Sequence, residues 1–255
     1  MTQHSVIQLE NVSVGYGPRQ LLTADAAILR GELCALIGRN GTGKSSLLRM
    51  IAGITPATEG RIAIEGVDLA GLSPRRLASL VSFVSTERIS VTNLRVRDVV
   101  ALGRTPYTNW FGSLTSADHA IVDEAMARLG VEHFADKRVS TLSDGENARV
   151  MIARALAQQT PVILLDEPTA FLDIAGKYEL CEILSGLCRD GKTILFSSHD
   201  LSTVWNVGCS VALIYNGALH HGNATEMKSS PVLTEFFRNS GFRMDFSTGV
   251  LHRIE

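Results

Sequence analysis

Hydrophobic and polar positions divide the chain into segments that alternate between the two-residue period of strands and the longer period of helices. The segments "SVIQLENVSVGYG" and "LLTADAAILRGELCALIG" have strand spacing, and the second predicts a pair of strands that ends at Gly38. A helix is expected from about Lys44 to Ala52. Further strands are predicted at "EGRIAIEGVDL" and "VSFVS", with a short helix at "SPRRLASL" between them.

The middle of the chain has a different pattern. From about Thr92 to Gln159, the segments "NLRVRDVVALGR", "TSADHAIVDEAMARLG" and "SDGENARVMIARALAQQ" have helical spacing, with no convincing strand between them. Strands return with "VILLD", "TILFSS" and "VALIYNGALHHG". Strands that alternate with helices predict a parallel sheet. We therefore expect one domain over residues 1–255, with an α/β core (1–91 and 160–255) and an inserted helical subdomain (92–159).

Composition narrows the class of protein. The chain has 255 residues, 24 basic and 26 acidic, and a net charge of −2, without the basic footprint of a nucleic-acid binder. Its four cysteines form no CxxC pair, which favours buried thiols in a reducing compartment. The N-terminus lacks a signal pattern, and no segment approaches the roughly 18 apolar residues of a membrane span. We expect a soluble, cytoplasmic protein.

A phosphate-binding loop is predicted at "GRNGTGKS", which fits G-x-x-x-x-G-K-[ST] between an apolar strand and an amphipathic helix. Lys44 should reach the β- and γ-phosphates of a nucleotide, and the Ser45 hydroxyl should ligate Mg²⁺. The alternative is a structural glycine-rich turn. The expected ATP-binding residues are Gly38, Arg39, Asn40, Gly41, Thr42, Gly43, Lys44, Ser45 and Ser46.

Two further strands end on residues suited to phosphate chemistry. "PVILLDEP" brings Asp166 to the carboxyl end of a buried strand, where it can hold the Mg²⁺ shell, with Glu167 next to it. Glu167 can orient or deprotonate an attacking water, unless it forms only a surface ion pair. In "TILFSSHD", an apolar strand ends on His199, which is either a γ-phosphate ligand or a structural histidine.

A second helix start with anion-binding character lies at "TLSDGENARV", where Ser143 and Gly145 precede a long helical segment. Ser143 and Glu146 also have the spacing of a capping box, so an ordinary capped helix is the alternative interpretation. Both interpretations are compatible.

Taken in order, these motifs resemble those of the nucleotide-binding subunits of ABC transporters, over essentially the whole chain. Tyr16 matches the aromatic residue that stacks on adenine, "GRNGTGKS" the Walker A loop, "LSDGE" the signature, "VILLDE" Walker B, "FLD" the D-loop and "SSHD" the switch histidine. The resemblance implies an ATP- and Mg²⁺-dependent ATPase. The implied fold is a P-loop NTPase core with a small antiparallel β subdomain and an inserted helical subdomain.

The resemblance also explains the second helix start. In this family, two subunits pair head to tail, and the signature of one caps the γ-phosphate held by the Walker A loop of the other. The signature residues here are Ser143, Asp144, Gly145 and Glu146, and Asp173 belongs to the D-loop. The resemblance therefore implies a second copy of this chain as partner.

Two motifs depart from the family pattern. Asp144 and Glu146 replace a glycine and a glutamine of the usual signature LSGGQ. Where the family has a glutamine that touches Mg²⁺, this chain has Thr86 followed by Glu87. We assign the metal contact to Thr86, with Glu87 as the alternative. The orientation of Asp144, which could point toward Arg149, stays open.

The expected partners are membrane proteins, because a chain with one cassette and no predicted span needs separate permease subunits. "VRDVVALGRTPYTNWFG" is similar to a segment of importers of ferric siderophores, haem and cobalamin. This favours import of a metal chelate, foremost a ferric siderophore, delivered by a substrate-binding protein. The chain would lie on the cytoplasmic face of the inner membrane. Tyr107, Trp110 and Phe111 would contact a partner or belong to the core.

Other functions remain as alternatives. A small-molecule kinase would phosphorylate an acceptor, but would have no use for "LSDGE" or the switch histidine. A soluble ABC-type ATPase of translation or DNA repair usually carries two cassettes, coiled coils or zinc cysteines. A non-hydrolysing module would bind ATP without turnover, and a transport ATPase could serve an unrelated cargo.

Overall fold

The structure is a computed structural model that describes residues 4–16, 19–86, 93–246 and 250–254. Its strands are β1 (Ser5–Tyr16), β2 (Arg19–Leu29), β3 (Leu33–Gly38), β4 (Arg61–Ile64), β5 (Val67–Asp68), β6 (Val81–Val84), β7 (Val162–Leu165), β8 (Thr193–Ser197), β9 (Ser210–Tyr215), β10 (Ala218–Gly222), β11 (Phe242–Asp245) and β12 (Val250–Arg253). Its helices are α1 (Lys44–Ile51), α2 (Pro74–Leu77), α3 (Val96–Ala101), α4 (Ser116–Arg128), α5 (Asp144–Ala157), α6 (Ile174–Arg189), α7 (Leu201–Val207), α8 (Ala224–Lys228) and α9 (Pro231–Arg238).

The described strands β1 to β10 form one sheet in the order β5-β4-β1-β2-β10-β9-β3-β8-β7-β6. The half from β9 through β3, β8 and β7 to β6 is parallel, whereas β1, β2, β4 and β5 pair antiparallel. β3 and β7 are buried along nearly their whole length, as expected for strands covered on both faces. The predicted fold class, a P-loop NTPase core with an antiparallel β part and added helices, is confirmed.

Residues 96–157 contain the helices α3, α4 and α5, which pack on one another, and no strand in the described part of 92–159. Val99, Val122, Met126 and Val150 are buried between them. A buried ion pair fixes the segment after α3: Arg104 Nε donates to Asp118 Oδ1 at 2.9 Å. The predicted helices are therefore present.

The structure differs from the sequence-based expectation near the C-terminus. "VALIYNGALHHG" forms two strands, β9 and β10, and Asn216 and Gly217 turn the chain with φ angles of 49° and 74°. These positive angles suit a tight hairpin, in which asparagine and glycine are favoured. The helices α8 and α9 and the hairpin β11–β12 had no predicted counterpart.

All four cysteines are buried and free, as predicted. Burial raises the pKa of Cys188 and of Cys209 to about 12 each, so both thiols stay protonated at neutral pH. Among the helices described, none has both the length and the apolar content for a membrane crossing.

Candidate functional site

The phosphate-binding loop leaves the sheet at its centre, because β3 lies between β9 and β8 and ends at Gly38. The loop leads directly into α1 at Lys44. Gly43, the residue before α1, has a φ of 103°, and a Cβ there would lie 2.9 Å from Leu22 Cδ2. The positive φ favours glycine, and a larger residue would also have to displace the Leu22 side chain. The loop therefore brings a helix start, with its N–H groups and partial positive charge, to the sheet edge.

Lys44 folds back over this loop. Its ammonium group donates to Gly38 O at 3.0 Å and to Arg39 O at 3.2 Å, which uses two of its three N–H donors. Burial lowers the pKa of Lys44, and the carboxylates of Glu167 and Asp166 oppose that shift. A cation held in the loop next to two acidic groups is positioned to neutralise phosphate charge.

Asp166 lies directly after β7 and is 4% exposed. Its Oδ1 accepts from Ser45 Oγ at 3.1 Å and from Ser197 Oγ at 2.7 Å. Ser197 also accepts from the backbone N–H of Glu167 at 2.8 Å. The pairing of Leu165 with Phe196 explains this contact, because it places the next residues of the parallel strands β7 and β8 side by side. Ser197 is a site residue that sequence reasoning missed, although it stands two positions before His199.

The oxygen atoms around Asp166 fit a magnesium ion. A hydroxyl and a carboxylate in contact are ligands of the kind that Mg²⁺ takes alongside water and phosphate. Ser45 and Asp166 are therefore the residues that would hold Mg²⁺. Thr86 lines a small cavity of about 50 Å³ together with Asp166 and Glu167, so its assignment as a further ligand stays a prediction. Glu87 lies outside the described residues.

The two predicted catalytic side chains meet at the edge of the sheet. His199 Nε2 contacts Glu167 Oε1, so neither side chain is isolated. Glu167 has a φ of 51°, in the left-handed region that costs a residue with a side chain about 1–2 kcal/mol. The bond from its N–H to Ser197 helps to hold that conformation. Glu167 is thus held by its backbone at the sheet edge, where its carboxylate contacts His199.

The second helix start is exposed. Ser143 is the N-cap of α5 and accepts from Glu146 N at 3.3 Å, while Glu146 Oε2 accepts from Ser143 N at 2.7 Å. This capping box lowers the pKa of Glu146, first through the backbone bond to Ser143. Asp144 lines the small cavity beside Glu167, and Arg149 pairs with Glu179 at 2.7 Å. The capping interpretation is present in the structure, and the anion-binding role stays a prediction.

Five other predicted site residues lie in the described part of the structure. Arg39 turns away from the loop and donates to Asn239 O at 2.8 Å and to Ser240 Oγ at 2.9 Å. Asp173 caps α6 by accepting from Gly176 N at 2.8 Å. Tyr16 is the last residue of β1 and pairs with Arg19, and its stacking role stays a prediction. In the phosphate loop, Thr42 Oγ1 donates to Arg39 O at 2.8 Å, and Ser46 is buried at the start of α1.

The three aromatic residues after α3 are all exposed, but to different degrees, with Tyr107 at 40% and held by polar contacts. Tyr107 donates to Gln158 O at 2.9 Å, and the Arg104 guanidinium lies 4.2 Å from its ring centre. Trp110 and Phe111, in contrast, are 97% and 88% exposed. For these two residues the core interpretation is wrong.

Known proteins resemble this chain in sequence and in fold. The family model described as ABC transporter matches residues 21–170. An uncharacterised ABC transporter ATP-binding protein of Methanocaldococcus jannaschii is 39% identical over 213 residues, which are 83% of this chain and 73% of that protein. The iron(3+)-hydroxamate import ATP-binding protein of Bacillus subtilis is 31% identical over 235 residues, 91% of this chain and 87% of that protein. A solved metal-chelate type ABC transporter in an inward-facing conformation is similar with a TM-score of 0.79 and 28% identity, over 92% of this chain and 89% of that one.

Proposed function

This chain belongs to the ABC transporter family as an ATP-binding, ATP-hydrolysing subunit, and from that premise we propose that it powers import of a metal chelate through separate permease subunits. The proposal of ATPase activity rests on one cluster of side chains at the edge of the sheet. It contains Lys44, Ser45, Asp166 and Glu167, and His199 contacts Glu167. These residues supply a phosphate-binding cation, oxygen ligands for a metal and a carboxylate for the attacking water.

Each of these residues has its own role in ATP hydrolysis. The loop N–H groups and Lys44 bind the β- and γ-phosphates and neutralise their charge. Mg²⁺, when bound by Ser45 and Asp166, supplies further neutralisation of the phosphate oxygens. Glu167 accepts the proton of the water that attacks the γ-phosphorus, and ADP leaves with the broken bond's electron pair. His199 holds Glu167 in place and donates a hydrogen bond to the γ-phosphate.

We also propose that each reaction centre is completed by a second copy. The start of α5 is exposed at Ser143, and its first turn carries the N–H groups and partial charge that attract an anion. In a head-to-tail pair, Ser143 and Gly145 of one copy would contact the γ-phosphate bound by the other. Asp173 would lie close to the same interface. ATP thus favours the paired state, and hydrolysis releases it.

The contact with a permease is assigned to the exposed aromatic pair Trp110 and Phe111. Large apolar side chains at such exposure are typical of interaction sites, where aromatic residues contribute much of the binding energy. This contact would hold the chain at the cytoplasmic face of the membrane. A substrate-binding protein would act on it only indirectly.

Support for a metal-chelate cargo comes from the relatives. One of them is an iron(3+)-hydroxamate import protein, and the similar solved structure is of a metal-chelate type transporter. Within this class we propose a ferric siderophore, with haem or cobalamin as alternatives. We expect the chain to copurify with permease subunits. We also expect a binding protein loaded with ferric hydroxamate to stimulate its ATP turnover. Stimulation by an unrelated loaded binding protein alone would contradict this cargo.

The experiment that tests the ATPase mechanism is the substitution Glu167→Gln. Because the amide cannot take the proton, phosphate release should fall at least about 100-fold while ATP still binds. The paired state should then accumulate with MgATP, and size-exclusion chromatography with light scattering measures it. Glu182→Gln, on the exposed side of α6, is the matched control and should behave as wild type.

Wild-type turnover by Glu167→Gln would contradict the assigned role of the carboxylate. Transfer of phosphate to an added metabolite, rather than release of inorganic phosphate, would favour the kinase alternative.

A further inference from the structure

A second pocket lies far along the chain from the phosphate-binding loop, between α9 and the hairpin β11–β12. Its volume is about 340 Å³, within the range of small-molecule sites. Its walls combine two kinds of side chain. The apolar ones are Phe237, Phe242, Met244, Phe246 and Ile254, and the cationic or titratable ones are Arg238, Arg243, His252 and Arg253.

The arginines of this pocket are not neutralised by carboxylates of the described residues. In the structure's described ranges, no ion pair joins Arg238, Arg243 or Arg253 to a carboxylate, whereas Arg30, Arg61 and Arg97 each pair with one. Three arginines line this pocket, and their like charges create a positive potential at it. A guanidinium presents a fork of N–H donors that matches an oxyanion. The charge pattern therefore favours an anionic occupant.

The aromatic wall continues into the protein. The rings of Phe237 and Phe246 are 6.3 Å apart, and Phe246 meets Trp205 edge to face at 5.3 Å. Trp205 is buried on α7, which begins two residues after His199. Aromatic rings of the pocket therefore pack against α7, which begins close to His199 in the sequence. An apolar ligand in the pocket would contact these rings.

The pocket is also connected to the phosphate-binding loop. Arg39 of that loop donates to Asn239 O and Ser240 Oγ, which directly follow α9. Thr234, Phe237 and Arg238 of α9 line the pocket. A ligand that shifts α9 would therefore act on Arg39.

We propose that this pocket binds a small organic anion, with an oxyanion group on the arginines and an aromatic body against the phenylalanines, and that its occupancy changes the rate of ATP turnover. The pocket favours a ligand with both parts, because the arginines bind the oxyanion and the phenylalanines bind the aromatic ring. None of the residues that line this pocket belongs to the predicted ATP site.

Binding is tested on the full chain without nucleotide. The chain has two tryptophans, so Trp110→Phe leaves Trp205 as the reporter. The probe is 8-anilinonaphthalene-1-sulfonate, which carries an aromatic body and one oxyanion and accepts energy from tryptophan. We expect saturable quenching of Trp205 with one site per chain. In that background, Arg243→Gln and Arg238→Gln should each weaken binding about tenfold or more.

Two variants are used because Arg243 lies on the hairpin and Arg238 on α9, so a local folding defect in one leaves the other informative. Arg189→Gln, which removes the same charge at the exposed end of α6, should leave binding unchanged. Equal affinity in wild type and both pocket variants would overturn the proposal. So would equal affinity for uncharged N-phenyl-1-naphthylamine, or for inorganic phosphate.

The effect on turnover is measured as phosphate release at saturating MgATP, with and without the probe. We expect a change of at least about twofold in wild type and none in Arg243→Gln, because coupling needs differential binding. Unchanged turnover with the pocket saturated would overturn the regulatory half. The binding test needs no hydrolysis, so its result is independent of the proposed ATPase mechanism.

Discussion

At the scale of single residues, Ser197 joins Asp166, the proposed metal ligand, to Glu167, the proposed catalytic carboxylate. Its hydroxyl donates to Asp166 and accepts from the backbone N–H of Glu167. It is fully buried, so water cannot replace these bonds. One hydroxyl thus controls the position of both acidic residues.

Ser197→Ala should therefore lower both stability and turnover. The loss leaves the Glu167 N–H without its acceptor and should lower the free energy of unfolding by about 1–3 kcal/mol. Displacement of Glu167 should lower kcat about tenfold or more, because the reacting groups need close positioning. Steady-state phosphate release and urea denaturation measure the two effects.

Ser185→Ala is the matched control, since that hydroxyl bonds a helix carbonyl of α6 at 2.8 Å. It should leave kcat unchanged. If Ser197→Ala retains the wild-type kcat, the linking role of Ser197 is wrong.

Asp118 gives the helical part of the chain a defined acid sensitivity. Hydrogen bonds from the Thr115 hydroxyl and N–H, and then from Arg104, hold the pKa of Asp118 down at about 2, against 3.8 for the free group. A depressed carboxyl pKa stabilises the fold above the unfolded value and loses that contribution as pH falls toward the folded value. Asp118→Asn should thus be less stable than wild type at pH 5, with the difference shrinking between pH about 4 and about 2.

Urea midpoints across that pH range test this expectation. Asp123→Asn, which breaks the exposed pair with Arg97, is the control and should change the midpoints little. A difference between Asp118→Asn and wild type that stays constant with pH would contradict it.

At the scale of elements, one glycine allows the segment after α3 to pack on α5. A Cβ on Gly103 would lie 2.2 Å from Arg154 O and 3.2 Å from Ala157 Cβ. Both atoms belong to α5, one of them to its backbone, so they cannot move aside readily. Gly186 of α6 is the opposite case, because a Cβ there meets only the far end of Arg189 at 3.6 Å.

Gly103→Ala should destabilise the protein by about 1–3 kcal/mol through overpacking. Gly186→Ala should instead stabilise it by about 0.5–1 kcal/mol, since alanine loses less entropy in a helix. Thermal and urea unfolding of both variants provide the comparison. Destabilisation by Gly186→Ala, or a neutral Gly103→Ala, would contradict the packing described here.

The elements themselves were predictable where their patterns were strong. Buried strands such as "VILLD" and "TILFSS" are short apolar runs between helices, and the sequence predicts them well. The hairpin β11–β12 escaped prediction because each strand has only four residues, too few to identify a strand, although Phe242 and Met244 alternate with Arg243 and Asp245. Within "VALIYNGALHHG", the dipeptide Asn216–Gly217 is a hairpin signal and predicts two strands rather than one.

At the scale of the whole molecule, parallel strands explain why the site could be predicted. Motifs that follow β3, β7 and β8 meet at the carboxyl edge of one sheet, so Ser45, Asp166 and Glu167 had to lie close together. The order of motifs and strands does not predict which side chains contact one another. The Glu167–His199 contact and the turn of Arg39 toward Ser240 depend on rotamers and on packing across distant segments.

In the proposed pair of copies, Lys44 of one and Ser143 of the other serve the same ATP. The measurement that tests this claim most directly mixes two inactive variants, Lys44→Ala and Ser143→Glu, and records phosphate release. A mixed pair has one intact centre, formed by the Ser143→Glu copy's loop and the Lys44→Ala copy's helix start. With random pairing, turnover should recover to about a quarter of wild type, because half the pairs are mixed and each has one of two centres intact. No recovery on mixing, with mixed pairs shown to form, would mean that both residues act within one chain.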